Sequence, residues 1–306
     1  MLFRSFLCQM HRSPLSHKKS FHPPSLYKLT MRRKDRSVLS MELCGTSETS
    51  KEEDTSSVWE PASPGVASMS LERNGQNAWI HVPESLMQSR GSDNVVEGTT
   101  SQERLYPLLV VLHGAGKGST MWNLQEQVAM FADIANQFDV VVLYPEARGS
   151  TWDYIRSSKG EDTEFLEHAI NTTRQTFPID DARIAVKGIS DGGSMALCLA
   201  TYNPTIFQAV LSVSAGFCTL HNDDKNNKMR DIGRGMKAPI EPQRPKLFLQ
   251  HGEIDTMFPL ERTGRSLESK LKHAEYDVEL RVAIGEGHGP KDWKTSFIEE
   301  WLAMSS

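Results

Sequence analysis

The sequence has little cysteine, and its four cysteines form no metal-binding or redox motif. Cys8 and Cys44 lie in a segment without folding signals, whereas Cys198 and Cys218 lie in a predicted helix and at the end of a predicted strand. No C-x-x-C pair and no zinc-finger spacing occurs among them. We therefore expect free thiols and an intracellular protein in a reducing compartment.

Long apolar runs and a strong excess of one charge are also missing. The longest apolar stretches, such as Leu108–Leu112, have the length of a strand, whereas a membrane-spanning helix needs about 20 residues. The formal net charge is −5 over 306 residues, which gives no reason to expect nucleic-acid binding. We expect a soluble protein with no transmembrane segment, long enough to bury a large core.

Acidic residues are absent from the first 34 positions, which hold eight Lys or Arg. A basic, serine-rich start without acids resembles an organellar transit peptide, which would send the protein to mitochondria or plastids. The alternative is a disordered extension of a cytoplasmic protein, with Met31 or Met41 as a possible true start. Residues 42–65 are rich in Ser, Thr, Glu and Pro and predict a linker. We therefore expect a tail and linker over 1–65 and one folded domain over 66–306.

Folding signals begin with a predicted β-hairpin. Residues 66–72 and 77–83 are predicted to form two strands joined at the Asn74-Gly75 turn, a strong hairpin signal. Such a hairpin suits the antiparallel edge of a larger sheet. Residues 84–104 are polar and predict an exposed loop.

From residue 105 onward, predicted strands alternate with predicted helices. The strands are 105–112, 139–144, 183–187, 209–214, 246–250 and 278–284. Helical periodicity marks most of the intervening segments and the closing one, which carries Phe297 and Trp301. This alternation indicates an α/β fold with a mainly parallel central sheet, helices on both faces and an N-terminal antiparallel hairpin. In such sheets the active site lies beyond the carboxyl ends of the strands.

One strand leads into a turn that is typical of a nucleophile. Residues 188–192 read Gly-Ile-Ser-Asp-Gly, the G-x-S-x-G pattern in which a sharp turn between strand and helix exposes a serine hydroxyl. Ser190 is therefore the candidate nucleophile. The pattern also occurs by chance in solvated turns, so its meaning depends on whether the chain supplies a base, an acid and an oxyanion hole.

The loops after the last two strands supply a candidate base and acid. His288 stands between glycines in a loop that can turn sharply, whereas His113 and His251 each precede a glycine at a strand end and are expected to shape turns. Asp255 is preferred as the acid that orients the imidazole, with Glu253 as the fallback. The order Ser190, Asp255, His288 is that of the α/β hydrolases.

Two backbone amides are the candidate donors to the oxyanion. The amide of Asp191 directly follows the serine, and the Ala115 amide, with Gly116 as its neighbour, lies in a loop of small residues after the first long parallel strand. A phosphate-binding loop is the rival interpretation, but the G-x-x-x-x-G-K-[ST] spacing is missing. We expect the Asp191 side chain to project away from the nucleophile.

Together these segments resemble the carboxylesterase and phospholipase-like branch of the α/β hydrolases, which includes predicted esterases and acyl-protein thioesterases. The resemblance covers about residues 66–304 and rests on LHGAG at 112–116, GISDGG at 188–193, QHGEID at 250–255 and GH at 287–288. It implies an α/β-hydrolase fold, a Ser/Asp/His triad, no metal and no organic cofactor. The chain departs from the thioesterases in having Asp191 where they usually have Gln, and it has no long apolar lid, which argues against long-chain acyl substrates.

Four aromatic residues are candidates for the substrate pocket, namely Trp122, Trp152, Phe217 and Phe258, although such residues more often pack. None identifies a substrate. The sequence therefore predicts a serine esterase that cleaves a small or medium carboxylic ester through an acyl-enzyme. The alternatives are an acyl thioesterase or lysophospholipase, and a small-molecule-binding protein of the same fold without turnover. The sequence does not indicate the oligomeric state.

Overall fold

The structure is a computed structural model of the whole chain. It describes residues 66–71, 76–91, 104–116, 124–154, 160–218, 244–290 and 294–304. The predicted tail and linker over 1–65 lie outside the described residues, as do the Asn74-Gly75 turn and Trp122.

Eight strands and six helices make up the described part of the chain. The strands are β1 (Val66–Leu71), β2 (Gln76–His81), β3 (Tyr106–Leu112), β4 (Val141–Pro145), β5 (Ile179–Ile189), β6 (Ala209–Val213), β7 (Lys246–Gly252) and β8 (Val278–Ala283). The helices are α1 (Glu84–Gly91), α2 (Leu124–Phe138), α3 (Glu161–Thr176), α4 (Asp191–Tyr202), α5 (Gly264–His273) and α6 (Lys294–Ala303). All eight strands form one sheet in the order β1-β2-β4-β3-β5-β6-β7-β8.

The predicted hairpin lies at one edge of this sheet. β1 pairs with β2 in antiparallel fashion, with Val66 opposite His81 and Leu71 opposite Gln76. β2 then pairs antiparallel with β4. The remaining neighbours, from β4 through β3 and β5 to β8, are parallel, as the alternation of strands and helices predicts.

The central strands of the sheet are buried on both faces, and strand β3 shows how the sequence achieves this. All seven of its residues are buried. Leu108, Val110 and Leu112 join one core, and Leu109 and Val111 join the other, because successive side chains of a strand point to opposite faces. Helices α3, α4 and α5 contribute to the first core, and α2 and α6 to the second.

The prediction of a loop over 84–104 is wrong for its first part, where helix α1 forms. The segment is polar and has no apolar stripe, so its sequence indicates a loop. Leu86 is 1% exposed and packs in the larger core. This tertiary contact stabilises the helix although its local helix propensity is weak. The amide of Glu84 also donates to Asn136 Oδ1 in α2 at 3.0 Å, which fixes the start of the helix.

The carboxyl ends of the parallel strands all face the same edge of the sheet, and every candidate site residue follows one of them. Ala115 follows β3, Ser190 follows β5, Phe217 follows β6, Asp255 follows β7 and His288 follows β8. Within the described residues, no helix has the length and hydropathy needed to cross a membrane.

Candidate active site

Ser190 occupies a sharp turn between β5 and α4. Its backbone has φ 54° and ψ −118°, a conformation that L-residues rarely adopt and that costs roughly 1–3 kcal/mol. The Ser190 amide donates to the Val213 carbonyl at 2.8 Å, and the Ser190 carbonyl accepts from Ser194 at 2.9 Å. These bonds hold the turn between β6 and the first turn of α4, with the serine at the edge of the sheet.

Two glycines are required by the close approach of backbones in this turn. A Cβ atom on Gly188 would lie 2.0 Å from the Gly192 carbonyl oxygen. A Cβ on Gly192 would lie 2.3 Å from the carbonyl oxygens of both Leu112 and His113. The G-x-S-x-G pattern therefore has a steric cause here, because only glycine lets α4 begin against the end of β3.

Asp255 is a buried carboxylate held by the turn in which it lies. Its side chain is fully buried, and Oδ1 accepts from the amides of Met257 at 2.9 Å and Phe258 at 2.8 Å. Oδ2 is 2.9 Å from His288 Nδ1. The two amides fix the carboxylate, so Oδ2 is directed at the imidazole.

The charge state of Asp255 follows from these contacts. Burial by itself would raise the pKa of this carboxyl group. The Phe258 amide, the hydrogen bond from His288, and the proximity of His288 and His251 outweigh burial and lower the pKa of Asp255 below its usual value. Asp255 is therefore a carboxylate at neutral pH and accepts the Nδ1–H of His288, which leaves Nε2 unprotonated in the neutral ring.

The loop of His288 reaches back to the turn that carries Ser190. The Gly289 amide donates to Ser214 Oγ, just beyond β6, at 3.0 Å. A Cβ on Gly289 would lie 3.0 Å from Ile189 Cδ1. The residue after the histidine thus contacts the residue before the serine, which brings Ser190 and His288 into the same part of the molecule. In the described part of the chain the Ser190 hydroxyl forms no hydrogen bond.

The other candidate acids and bases have different partners. Glu253 is exposed, and its carboxylate accepts from the Gly285 amide at 2.9 Å, so it does not contact His288. His113 Nε2 accepts from the Ala147 amide at 2.9 Å, and Nδ1 lies 2.6 Å from the Gly114 carbonyl. His251 is buried, with Nε2 2.6 Å from the Phe258 carbonyl and 3.5 Å from Asp255 Oδ2, so it flanks the carboxylate from the same turn. Both histidines support loops, as the sequence indicates.

The two candidate oxyanion donors are available for hydrogen bonding. Gly116 is in the left-handed region with φ 92°, and its amide donates to the Ser150 carbonyl at 2.7 Å. Because the Gly116 amide is bonded to the loop after β4, the Ala115 amide is the better candidate for the oxyanion donor. Among the described residues, the amides of Ala115 and Asp191 have no acceptor.

The Asp191 side chain has a partner that the sequence did not suggest. Its Oδ2 accepts a hydrogen bond from the hydroxyl of Thr151, in the loop after β4. Thr151 is buried. The carboxylate therefore reaches the loop beside the site instead of serving only at the surface or at the start of the helix.

Of the four aromatic candidates for the pocket, the structure describes three. Trp152 is completely buried, donates from Nε1 to the His113 carbonyl at 2.8 Å and packs on the His113 ring, so it supports the loop and does not line an open pocket. Phe258 meets the His288 ring edge-on at a centroid distance of 5.4 Å. Phe217 is 38% exposed. Phe258 therefore lies beside His288.

Two residues near the site escaped sequence reasoning. Ser214 holds the His288 loop through the amide of Gly289, and Thr151 binds Asp191. Both follow strands at the active-site edge, which is the signal that could have found them. Among the described residues, no group of three or more His, Cys, Asp or Glu is arranged to hold a metal ion.

Curated relatives of the chain include acetylxylan esterases and a poly(3-hydroxybutyrate) depolymerase. An acetylxylan esterase from Emericella nidulans is 25% identical over 155 residues, a match that covers 42% of this chain and 51% of the relative. A poly(3-hydroxybutyrate) depolymerase from Ralstonia pickettii is 28% identical over 122 residues, covering 36% of this chain and 25% of the relative. The chain thus spans about half the length, or less, of these relatives.

Solved structures of similar shape establish the fold. An acetyl xylan esterase from Aspergillus awamori matches with a TM-score of 0.53 and 16% identity, over 78% of this chain and 98% of the other. An S-formylglutathione hydrolase from Staphylococcus aureus matches with a TM-score of 0.51 and 17% identity, over 79% and 97%. The α/β-hydrolase fold that the sequence predicts is confirmed.

The family follows from the sequence itself. A sequence profile described as the prolyl oligopeptidase family matches residues 122–303, which is more than half of the chain. This range begins before α2 and ends at the last residue of α6. It includes Ser190, Asp255 and His288. The chain belongs to the prolyl oligopeptidase family, within the α/β-hydrolase superfamily.

Proposed function

We propose that the chain is a serine hydrolase that cleaves a carboxylic ester through an acyl-enzyme. The observation that carries this proposal is the buried Asp255 carboxylate bonded to His288 Nδ1 at 2.9 Å, in a loop that contacts the turn of Ser190. A serine hydroxyl is a poor nucleophile at neutral pH, and it needs a base that a third group orients. The chain has all three groups in one part of the fold.

In the proposed reaction, His288 Nε2 removes the proton of Ser190 as its Oγ attacks the ester carbonyl. The tetrahedral intermediate carries its negative charge on the former carbonyl oxygen, where the amides of Ala115 and Asp191 donate. When the intermediate collapses, His288 gives its proton to the departing alcohol, and Ser190 keeps the acyl group. Water then attacks the acyl-enzyme by the same steps, with His288 again as the base.

Asp255 supports both proton transfers. Its carboxylate fixes the ring of His288 with the proton on Nδ1, and its charge stabilises the imidazolium that forms each time Nε2 takes a proton. The lowered pKa of Asp255 favours this role, because the group remains charged wherever the enzyme operates near neutral pH. Loss of that charge would be expected only in acid.

For the substrate we propose an ester with a small or medium acyl group. Two of the similar proteins are named acetylxylan esterases, and the side chain of Phe258 lies beside His288, with the exposed Phe217 as a further candidate for the pocket. A thioester is the near alternative, since the same acyl-enzyme forms from either. Rates on p-nitrophenyl esters of increasing acyl length test this choice, and an optimum at long chains would contradict it.

The family match favours peptide-bond cleavage as a second candidate function. The family is named for prolyl oligopeptidase, and the same three residues can cleave an amide if His288 protonates the departing amine. Assay of proline-containing peptide p-nitroanilides beside the esters separates the two. We expect the esters to give the higher kcat/KM, and the reverse order would replace the ester proposal.

A fluorophosphonate probe tests the chemistry common to both candidates. We expect the wild-type chain to be labelled with one probe per molecule and Ser190→Ala to be unlabelled. Ser89→Ala is the matched control, because Ser89 is an exposed serine in α1 whose hydroxyl bonds only the Leu86 carbonyl. Absence of labelling in the wild type would instead favour a binding protein without turnover.

We propose an intracellular location for the protein. Cys198 and Cys218 are both buried, and the four cysteines of the chain include no C-x-x-C pair, which suits a reducing compartment. Sequencing the mature N-terminus of protein from its own cells would decide between a cytoplasmic chain and one processed in an organelle, and a disulfide in the isolated protein would contradict the proposal.

A further inference from the structure

The loop after β4, residues 146–153, contacts both halves of the proposed oxyanion hole. We propose that Thr151 and Asp191 are a positioning pair, which locks this loop to the nucleophile turn and thereby fixes the Ala115 amide relative to the Asp191 amide. The inference rests on the proposed function, because it concerns the geometry of the same oxyanion hole. Neither side chain takes part in making or breaking a bond of the substrate.

Hydrogen bonds join the β4 loop to the loop of Ala115. The Ser150 carbonyl accepts from the Gly116 amide at 2.7 Å. Trp152 Nε1 donates to the His113 carbonyl at 2.8 Å, and the Ala147 amide donates to His113 Nε2 at 2.9 Å. Ala115 itself is exposed. Its position therefore depends on bonds made by its neighbours to the β4 loop.

The two ends of the β4 loop are anchored to helix α3. Asp162, at the start of α3, is completely buried. Its carboxylate accepts from the Arg148 amide at 2.8 Å and from the Asp153 amide at 2.6 Å, and from Gln76 Nε2 at 2.8 Å. The two ends of the loop are thus tied to α3, and its middle remains to be fixed.

A further bond fixes the middle of the β4 loop. Thr151 stands between Ser150 and Trp152, two of the three residues of the β4 loop that hold the Ala115 loop. Its hydroxyl donates to the Asp191 carboxylate, and the amide of the same Asp191 is the second proposed oxyanion donor. Among the bonds described, this one joins the β4 loop directly to the residue after Ser190. It relates one donor to the other.

The bond also has an electrostatic consequence. A carboxylate one residue from the nucleophile would repel the negative charge that develops on the substrate oxygen if it turned toward it. Donation by Thr151 holds the Asp191 carboxylate on the side of the β4 loop. The Asp191 amide can then face the oxyanion while the charge of its own side chain is directed elsewhere.

Substitution of Thr151 tests the proposal. A donor displaced by a fraction of an ångström is weakened without being lost, so we expect Thr151→Val to lower kcat on a p-nitrophenyl ester by about 10- to 100-fold, with KM within about twofold of the wild type. A trifluoromethyl ketone, which forms a tetrahedral adduct with the serine, should lose affinity by the same factor as kcat/KM. Thr151→Ser should restore both, because it keeps the hydroxyl.

The partner residue gives an independent arm. Asp191→Ala keeps the backbone amide but removes the acceptor together with its charge, and we expect it to lower kcat by no more than Thr151→Val does. The double variant should be no worse than either single one, since both remove the same bond. Asp191→Asn keeps an acceptor oxygen and should retain most of the activity. Additive losses in the double variant would overturn the proposal.

Thr173→Val is the matched control for loss of a buried hydroxyl. Thr173 is completely buried in α3, where its hydroxyl donates to the Ala169 carbonyl at 2.8 Å, and we expect its replacement to leave kcat unchanged. If Thr151→Val has the kcat of the wild type, or if Thr173→Val loses as much kcat as Thr151→Val, the positioning role is overturned. A wild-type chain that fluorophosphonate does not label would instead refute the proposed function.

Discussion

Replacement of Asp255 by Asn isolates the role of its charge. Asn is nearly isosteric, and its carbonyl oxygen can still accept from the amides of Met257 and Phe258, which lie 2.9 and 2.8 Å from Oδ1. The other carboxylate oxygen, 2.9 Å from His288 Nδ1, becomes an NH₂ group. Two donors then face each other, so the histidine must move its proton to Nε2 to relieve the clash.

The magnitude follows from that change of tautomer. A His288 with the proton on Nε2 cannot accept the proton of Ser190. The fraction of molecules in which His288 can act as the base therefore becomes very small, although the fold is unchanged. The equivalent substitution in serine proteases lowers kcat by about 10⁴, which corresponds to about 5.5 kcal/mol of transition-state stabilisation. We expect a loss of about 10³- to 10⁴-fold in kcat for Asp255→Asn, with KM nearly unchanged.

The assay is steady-state hydrolysis of p-nitrophenyl acetate, with far-ultraviolet circular dichroism as a check of folding. Glu253→Gln is the control, because Glu253 is an exposed carboxylate two residues earlier whose partner is the Gly285 amide. We expect it to keep activity within about twofold of the wild type. A Glu253→Gln variant as damaged as Asp255→Asn, or an Asp255→Asn variant within tenfold of the wild type, would refute this assignment of the acid.

Two further predictions concern stability. Burial of His81 lowers its pKa to about 4, against a smaller opposing effect of Asp133. In the unfolded chain this histidine binds a proton near pH 6.5, whereas in the native protein it stays neutral until about pH 4. We therefore expect the free energy of unfolding to fall by about 2 to 3 kcal/mol between pH 7.5 and 4.5. Urea titrations of His81→Gln should show a smaller decrease, and an identical pH dependence would refute this origin. Gly192→Ala places a methyl 2.3 Å from two carbonyl oxygens and should cost at least about 1–3 kcal/mol by urea denaturation, whereas Gly287→Ala, with nothing within 4 Å, should cost far less; equal effects would contradict the steric account.

Features that depend on local chemistry could be predicted from the sequence. The continuous apolar run in 105–112 gives β3 its two buried faces, and Gly188 is required by a backbone contact with Gly192 in the same turn. The pairing of Asp255 with His288 could be predicted because both follow strands that end at the same edge. These assignments need only the parallel direction of the strands, which the alternation of strands and helices indicates.

Features that depend on packing between distant segments could not be predicted. Helix α1 exists because Leu86 is buried in the core, and no local signal distinguishes it from a polar loop. Thr151 and Asp191 are 40 residues apart in sequence, so their bond depends on how the β4 loop folds over α4. Trp152 packs on His113 for the same reason, which is why an aromatic residue at the active-site edge need not line a pocket.

The central claim is that Ser190 carries the acyl group during turnover. Stopped-flow hydrolysis of p-nitrophenyl acetate, followed by mass spectrometry of acid-quenched enzyme, measures it directly. We expect a burst of one p-nitrophenol per chain and an acetyl group on the peptide that contains Ser190, both absent in Ser190→Ala. A Ser190→Ala variant that turns over at the wild-type rate would contradict this claim. So would an acetyl group on another residue that forms and hydrolyses as fast as the enzyme turns over.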